Sequence, residues 1–336
     1  MTDDFPVWLD GPWRRLADAH RQGRLPHALL IAGPEGVGKR LLADRLVGLL
    51  LCERPDSEKG ACGSCPACAW LRAGTHPDLS TLEPDEEGKA IKVDQVRALT
   101  VELGMTSHAG RYKVAVIAPA DAMNVNAANS LLKTLEEPTT GTLLMLLTSS
   151  PGRLPATIRS RCQQLHIALP PAGQALDWLL AGGIDAAAGR YCLEVAGGAP
   201  LVAAQLAGSD SLAQREQRLG ELASLLERKA DPLRVAGEWC TAQEWQSLRW
   251  WHACLQTLIR ARVAGGLPDD PLAARMLQQI PEEVDCRRLF ELSDRIAMAA
   301  GSLGSGLNRQ LLLEDLLIDW VRLAVKPGRQ ITAAGR

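Results

Sequence analysis

A glycine-rich octet, Gly33-Pro34-Glu35-Gly36-Val37-Gly38-Lys39-Arg40, lies between an apolar run, Ala28-Leu29-Leu30-Ile31-Ala32, and an amphipathic one beginning Leu41-Leu42-Ala43-Asp44-Arg45-Leu46. A buried strand, a glycine loop and a helix in that order are the context in which a GxxxxGK[ST] match holds phosphate. The glycines let the backbone curl so that successive N–H groups converge on phosphate oxygens. They do so at a helix N-terminus, whose partial positive charge favours anions. Gly33, Gly36 and Gly38 are therefore candidate cradle residues, and Lys39 is the candidate that reaches the outer phosphates. The eighth position breaks the pattern. A Ser or Thr hydroxyl there ligates magnesium, and Arg40 has no acceptor with which to do so.

The segments that follow predict more of the same architecture. Leu79 to Glu83 and Ile91 to Val93 read as short extended pieces, Val93 to Gly104 as a helix, and Lys113 to Ala118 as a fully buried strand. Asn124 to Glu137 is a predicted helix stopped by Pro138, Thr142 to Ser149 another buried strand, and Leu165 to Ile167 a last short one. Asp10 to Arg24 supplies a helix ahead of the first strand. Near-continuous apolar strands alternating with helices predict a parallel sheet covered on both faces. In a P-loop ATPase the third such strand ends in carboxylates that hold magnesium and polarise water. Here that end reads Ala118-Pro119-Ala120-Asp121, and Asp121, its only carboxylate, falls past it.

Between the loop helix and the second strand stand Cys52, Cys62, Cys65 and Cys68, the last three in Cys-Gly-Ser-Cys-Pro-Ala-Cys. Four thiolates at such spacing suit a tetrahedral structural zinc, with no position left open for water. His76, in Thr75-His76-Pro77, is an alternative to Cys52 as fourth ligand. The other five cysteines, Cys162, Cys192, Cys240, Cys254 and Cys286, have no ligand spacing and read as inert thiols.

Past Pro170-Pro171 the strand signal ends. Gln174 to Arg190 and Tyr191 to Leu206 form a small helical unit, interrupted at Gly197-Gly198-Ala199-Pro200, and everything from about Ser209 onward is helical. Trp239, Trp245, Trp250 and Trp251 concentrate apolar area there, as a monomer core or as a face for another subunit. The division expected is therefore a P-loop domain over 1–167 with its cysteine insert at 52–76, a helical lid over 168–208, and an all-α collar over 209–336.

Composition narrows the function. A formal net charge of −2 gives no basic footprint for nucleic acid held by this chain alone. Around the cysteines, Glu53, Asp56 and Glu58 offset Arg54 and Lys59, which disfavours a zinc-dependent DNA-binding module. No apolar run reaches membrane-spanning length, and the acidic start Met1-Thr2-Asp3-Asp4 is unlike a signal peptide. Clustered cysteines without such a signal point to the reducing cytoplasm.

The degenerate GPEGVGKR loop, the insert closing on CGSCPAC, Ala73 to Asp78 (AGTHPD), Asn129 to Pro138 (NSLLKTLEEP) and Arg159 to Cys162 (RSRC) together resemble the bacterial DNA polymerase III clamp loaders of the AAA+ class. The resemblance covers roughly 25–167 and implies an α/β AAA+-type P-loop domain followed by a lid and a helical collar. It implies a place in a pentameric ring, with ATPase subunits and delta as neighbours, that loads a sliding clamp onto primed DNA. Active relatives carry the loop hydroxyl, the strand-end carboxylates and a lid arginine; here those positions read Arg40, Ala118-Pro119 and Gly197-Gly198-Ala199-Pro200. The resemblance thus implies a subunit that does not hydrolyse ATP by itself within a polymerase holoenzyme that transfers nucleotides. Magnesium is not expected, and ATP binding without turnover stays open. Arg161, inside the family's Ser-Arg-Cys motif, is then the arginine finger supplied to a neighbour's ATP. Arg153 and Arg159 are rivals, Arg159 sharing Arg161's face if the segment is extended. The competing reading is a self-sufficient AAA+ ATPase or remodelling motor, which needs magnesium ligands from elsewhere.

Overall fold

The structure, a computed structural model, describes residues 5–56, 59–86, 89–108, 112–208, 211–240, 244–268, 270–302 and 308–324. They fall into two compact units, one of 1–193 with 198–204 and one of 194–197 with 205–336.

The first unit is built on β1 (Ala28–Ala32), β2 (Leu79–Leu82), β3 (Lys113–Ile117), β4 (Thr142–Thr148) and β5 (Gln163–His166). All pair in parallel in the order β2-β3-β4-β1-β5. Every residue of β1, β3 and β4 is buried, which is why these strands read as unbroken apolar runs. Their side chains alternate between two cores. Leu29, Ile31, Val114, Val116, Leu143 and Met145 pack with α1 (Asp10–Arg21) and α2 (Lys39–Leu51). Leu30, Ala115, Ile117, Leu144 and Leu146 pack with α4 (Val93–Leu103) and α5 (Val125–Glu136) on the other side. This is the parallel P-loop architecture expected of an AAA+-type domain. The glycine loop leaves β1 between β4 and β5, at the carboxyl ends of the strands where open α/β sheets place their sites.

Two local expectations need correction, and two details are added to the others. The insert contains a helix, α3 (Pro66–Ala73), with Cys65 at its N-cap and Pro66 at its first position. Residues 91–93 are not a strand: Ile91 makes one isolated bridge to Met123, and Val93 opens α4. The stretch 154–162, open to an extended reading, contains a helical turn, α6 (Ala156–Arg159). Within the helical unit expected from Gln174 onward, the first part falls in two helices, α7 (Ala172–Ala181) and α8 (Ala186–Val195), parted at Gly182-Gly183. Gly183 sits at φ 85°, a backbone that continues no helix. The next helix, α9 (Pro200–Ala207), follows the expected break.

The second unit is helical throughout its described residues: α10 (Ser211–Leu226), α11 (Pro232–Cys240), α12 (Glu244–Ala264), α13 (Pro271–Gln279), α14 (Cys286–Ser302) and α15 (Arg309–Leu323). Its core centres on Trp239, Trp251 and Trp320, each 0% exposed. Their rings meet edge to face at 6.0 Å and 5.7 Å. Trp239 and Trp251 are therefore core rather than docking residues; Trp250 is half-buried, and the side chain of Trp245 lies outside the described residues.

Candidate functional site

The cysteine cluster forms where α2 ends. Cys52 caps that helix in extended backbone, and the chain returns so that the Cys62 N–H donates to Cys52 Sγ at 3.3 Å. Gly63, at φ 74°, turns the chain toward Cys65, and Arg72 donates to the Gly63 carbonyl at 2.7 Å. Gly48 of α2 permits the approach: a Cβ there would stand 2.9 Å from the Ala61 methyl. The four Sγ atoms lie within 4.8 Å of one another, and the set could hold a metal ion. The separations are 3.7 Å for Cys52–Cys65, 3.6 Å for Cys52–Cys68, 3.5 Å for Cys65–Cys68 and 3.9 Å for Cys62–Cys68. These are far beyond a disulfide bond, and none of the four cysteines is disulfide-bonded. The Cys62 thiol is drawn down to about 5, chiefly by the Ser64 backbone N–H, while burial pushes Cys68 up to about 12. An ion bound here would therefore have to displace protons.

His76 is not part of this set. It is 4% exposed, its Nδ1 accepts from the Asp78 N–H at 3.1 Å, and its ring packs edge-on to Trp70 at 5.8 Å. The alternative that substitutes His76 for Cys52 is set aside, since Cys52 is the residue that closes the cluster.

At the glycine loop, the residues expected to cradle phosphate are in place and already engaged. Gly36 and Gly38 adopt φ 73° and 96°. A Cβ on Gly36 would stand 2.6 Å from Val202 Cγ2, and one on Gly38 would stand 2.8 Å from Leu9 Cδ1. The Leu201 N–H donates to the Gly36 carbonyl at 3.1 Å, and Trp8 Nε1 donates to the Val37 carbonyl at 2.9 Å. A Cβ on Gly33 would come within 2.2 Å of the Ile167 carbonyl oxygen. The loop is thus packed from one side by the N-terminal turn and from another by the start of α9.

Lys39 Nζ donates to the Gly33 carbonyl at 2.7 Å, the Pro34 carbonyl at 2.8 Å and Ser149 Oγ at 3.0 Å. An ammonium has three donors, and these contacts use all of them. Burial draws Lys39 down to about 8, with attraction from Asp121 partly offsetting it. Arg40, in place of the hydroxyl residue, donates to Asp44 at 2.9 Å and to Glu83 at 2.7 Å. Asp121 stands in a short turn beyond β3, where its Oδ1 accepts from Thr148 Oγ1 at 2.5 Å. Ala118 and Pro119 offer no side-chain oxygen at the strand end.

Arg161 follows α6 and lies partly open to solvent. Its Nε donates to Glu136 Oε1 at 2.9 Å, its Nη2 lies 2.6 Å from the same oxygen, and its Nη1 donates to the Thr157 carbonyl at 3.1 Å. The helical turn separates it from Arg159, whose Nε is buried without a hydrogen-bond partner among the described residues; the two do not share a face as an extended chain would require. Arg153 is exposed on a separate short turn. Sequence reasoning missed Glu136, Glu83, Leu9 and Val202. Each meets its partner across 25 or more positions, and nothing local in the sequence signals such a contact.

Two family profiles match the chain: "DNA polymerase III, delta subunit" over residues 10–171, and "DNA polymerase III, delta subunit, C terminal" over 209–322. The DNA polymerase III subunit delta' of Pseudomonas aeruginosa is 37% identical over 332 residues, covering 96% of this chain and 99% of its own length. The subunit delta' of Escherichia coli K12 is 31% identical over 323 residues, covering 93% of each. Among solved structures, a DNA polymerase III gamma subunit-related protein of Thermotoga maritima shares 16% identity at a TM-score of 0.42, covering 94% of this chain and 99% of that one.

Proposed function

The chain belongs to the DNA polymerase III delta-subunit family, with delta' subunits as its full-length relatives, and on that footing we propose that it is the delta'-type, non-hydrolysing subunit of a clamp loader. It works in a complex with other loader subunits, in the cytoplasm. Its finer partners are the ATPase subunits and delta in a pentameric ring, with the sliding clamp and primed DNA reached through the assembly. We retain the division into a P-loop domain, a lid over 168–208 and a collar over 209–336. No helix among the described residues is long and apolar enough to cross a membrane.

The observation that carries the non-hydrolysing reading is the loop's engagement with its own chain. Lys39 spends its donors on two carbonyls and Ser149, Arg40 is paired with two carboxylates, and Leu9 and Val202 crowd the glycines. Purified alone with ATP and magnesium, the chain is expected to release phosphate no faster than buffer. Arg40→Ser is expected to be equally inert, because Ala118 and Pro119 still leave the strand end without a carboxylate. Turnover by the wild-type chain would instead favour the self-sufficient motor.

Arg161 is the arginine finger in this reading. A guanidinium supplied in trans stabilises charge on the transferring phosphoryl group, worth about 10³ to 10⁵ in rate at the site it serves. The test is a reconstituted loader carrying Arg161→Ala. Assembly should persist, since an exposed side chain is lost, while ATP turnover and clamp loading fall through a defect at one site of several. Arg153→Ala is expected to be near neutral.

The four cysteines are proposed to hold one structural zinc. A tetrahedral ion with zinc–sulfur bonds of about 2.3 Å needs sulfurs about 3.8 Å apart, and the separations of 3.5 to 3.9 Å support this choice.

A further inference from the structure

Arg161 does not wait unpaired at the end of α6. Glu136, the last residue of α5, accepts from its Nε at 2.9 Å and stands 2.6 Å from its Nη2, and the Thr157 carbonyl takes Nη1 at 3.1 Å. Two features make this more than an ordinary surface ion pair. Glu136 closes its helix, where the partial negative charge of the C-terminus disfavours a carboxylate, so its position suits its partner rather than its helix. The guanidinium is also held from two sides, by Glu136 at Nε and Nη2 and by the Thr157 carbonyl at Nη1. Three of its five N–H groups are engaged and two are without a partner among the described residues, left for oxygens from outside the chain.

We propose that Glu136 is the positioning residue for Arg161: it fixes the guanidinium before a neighbour's phosphate arrives. The inference rests on the arginine-finger reading and goes beyond it by naming what aims the finger. An exposed pair of this kind adds little to folding stability, with the two side chains 37% and 50% exposed. Its benefit lies elsewhere. An arginine ordered in advance loses less rotamer freedom when it meets phosphate, so the gain falls on the chemical step rather than on nucleotide affinity.

The test uses the reconstituted loader with Glu136→Ala, Glu136→Gln, Arg161→Ala and the double variant Glu136→Ala with Arg161→Ala. Glu137→Ala, at the neighbouring exposed position, is the control. Glu136→Ala should lower kcat for ATP by at least half of the Arg161→Ala deficit on a logarithmic scale, with KM unchanged. Glu136→Gln keeps an acceptor oxygen at the same place and should restore most of the rate. The double variant should match Arg161→Ala, since Glu136 acts only through that side chain. All chains should melt within about 2 °C of wild type, as befits an exposed pair. If Arg161→Ala slows the loader and Glu136→Ala does not, the positioning role is overturned and the finger survives. If Arg161→Ala turns over at the wild-type rate, the finger reading itself falls and takes this proposal with it. A rate loss from Glu136→Ala that persists undiminished on top of Arg161→Ala overturns the proposal by showing that Glu136 acts elsewhere.

Discussion

Cys65→Ser is expected to purify without metal, where the wild-type chain is expected to carry one zinc, and to lose the ordered form of its insert. Cys65 is 2% exposed, caps α3 and lies 3.5 to 3.7 Å from two other thiols. Apart from sulfur, the insert's small core has only Ala67 as a buried apolar residue. So little apolar area does not meet the entropy of ordering the chain, and on the proposed reading a bound ion supplies the difference. Apparent zinc affinities of comparable small sites run to about 10 to 16 kcal/mol near neutral pH, so metal loss should abolish the insert's order rather than loosen it. The sheet should remain. None of the four cysteines belongs to the cores on its two faces, so far-UV circular dichroism should change little while proteases gain a cut near 53–65. Elemental analysis of the purified chain decides the matter. Full zinc retained by Cys65→Ser overturns the site, whereas full zinc retained by His76→Ala is the expected control.

Trp320→Ala is expected to destabilise the helical unit by about 3 to 5 kcal/mol, because truncating a buried tryptophan loses transfer energy and leaves a cavity. Trp320 is 0% exposed, touches Trp251 edge to face, and donates from Nε1 to the Leu222 carbonyl at 3.0 Å. A loss of that size is comparable to the whole stability of many domains. Chemical denaturation should then resolve two steps, with the helical unit unfolding first. Trp251→Phe makes the contrast. Trp251 is as deeply buried, but its Nε1 has no hydrogen-bond partner among the described residues, so the ring nitrogen can be removed without orphaning an acceptor there. That variant keeps most of the ring volume and should cost clearly less than Trp320→Ala. Equal losses from the two would show that the hydrogen bond and the size of the cavity do not govern this core.

What could be read from the sequence follows the range over which each signal acts. The central strands were legible because burial on both faces writes an unbroken apolar run into β1, β3 and β4. The cysteine spacing identified the cluster, since a turn of fixed length brings those thiols together; it could not separate Cys52 from His76, which differ only in how the chain folds back. The break between α7 and α8 falls at Gly182-Gly183, where the positive φ of Gly183 ends the helical backbone that the apolar period on either side would continue. Local pattern did not reveal that 156–159 form a helical turn, because four residues between a proline and a serine carry too little periodicity to score. The loop glycines were legible and their occupants were not. Val202 and Leu9 reach them from sequence-distant segments, and only the assembled fold brings them there.

Those occupants change what the octet at 33–40 signifies. A methyl group on Gly36 would strike Val202, and one on Gly38 would strike Leu9, so protein packing demands glycine at both positions whether or not phosphate ever enters. Selection to keep the domain folded would therefore maintain the outward spelling of a nucleotide site even in a chain that used it for no chemistry. A census of genomes by that spelling would count such chains among energy-transducing enzymes. The informative letter is the one after the lysine: Arg40 faces Asp44 and Glu83 and lies outside the packing that fixes the glycines.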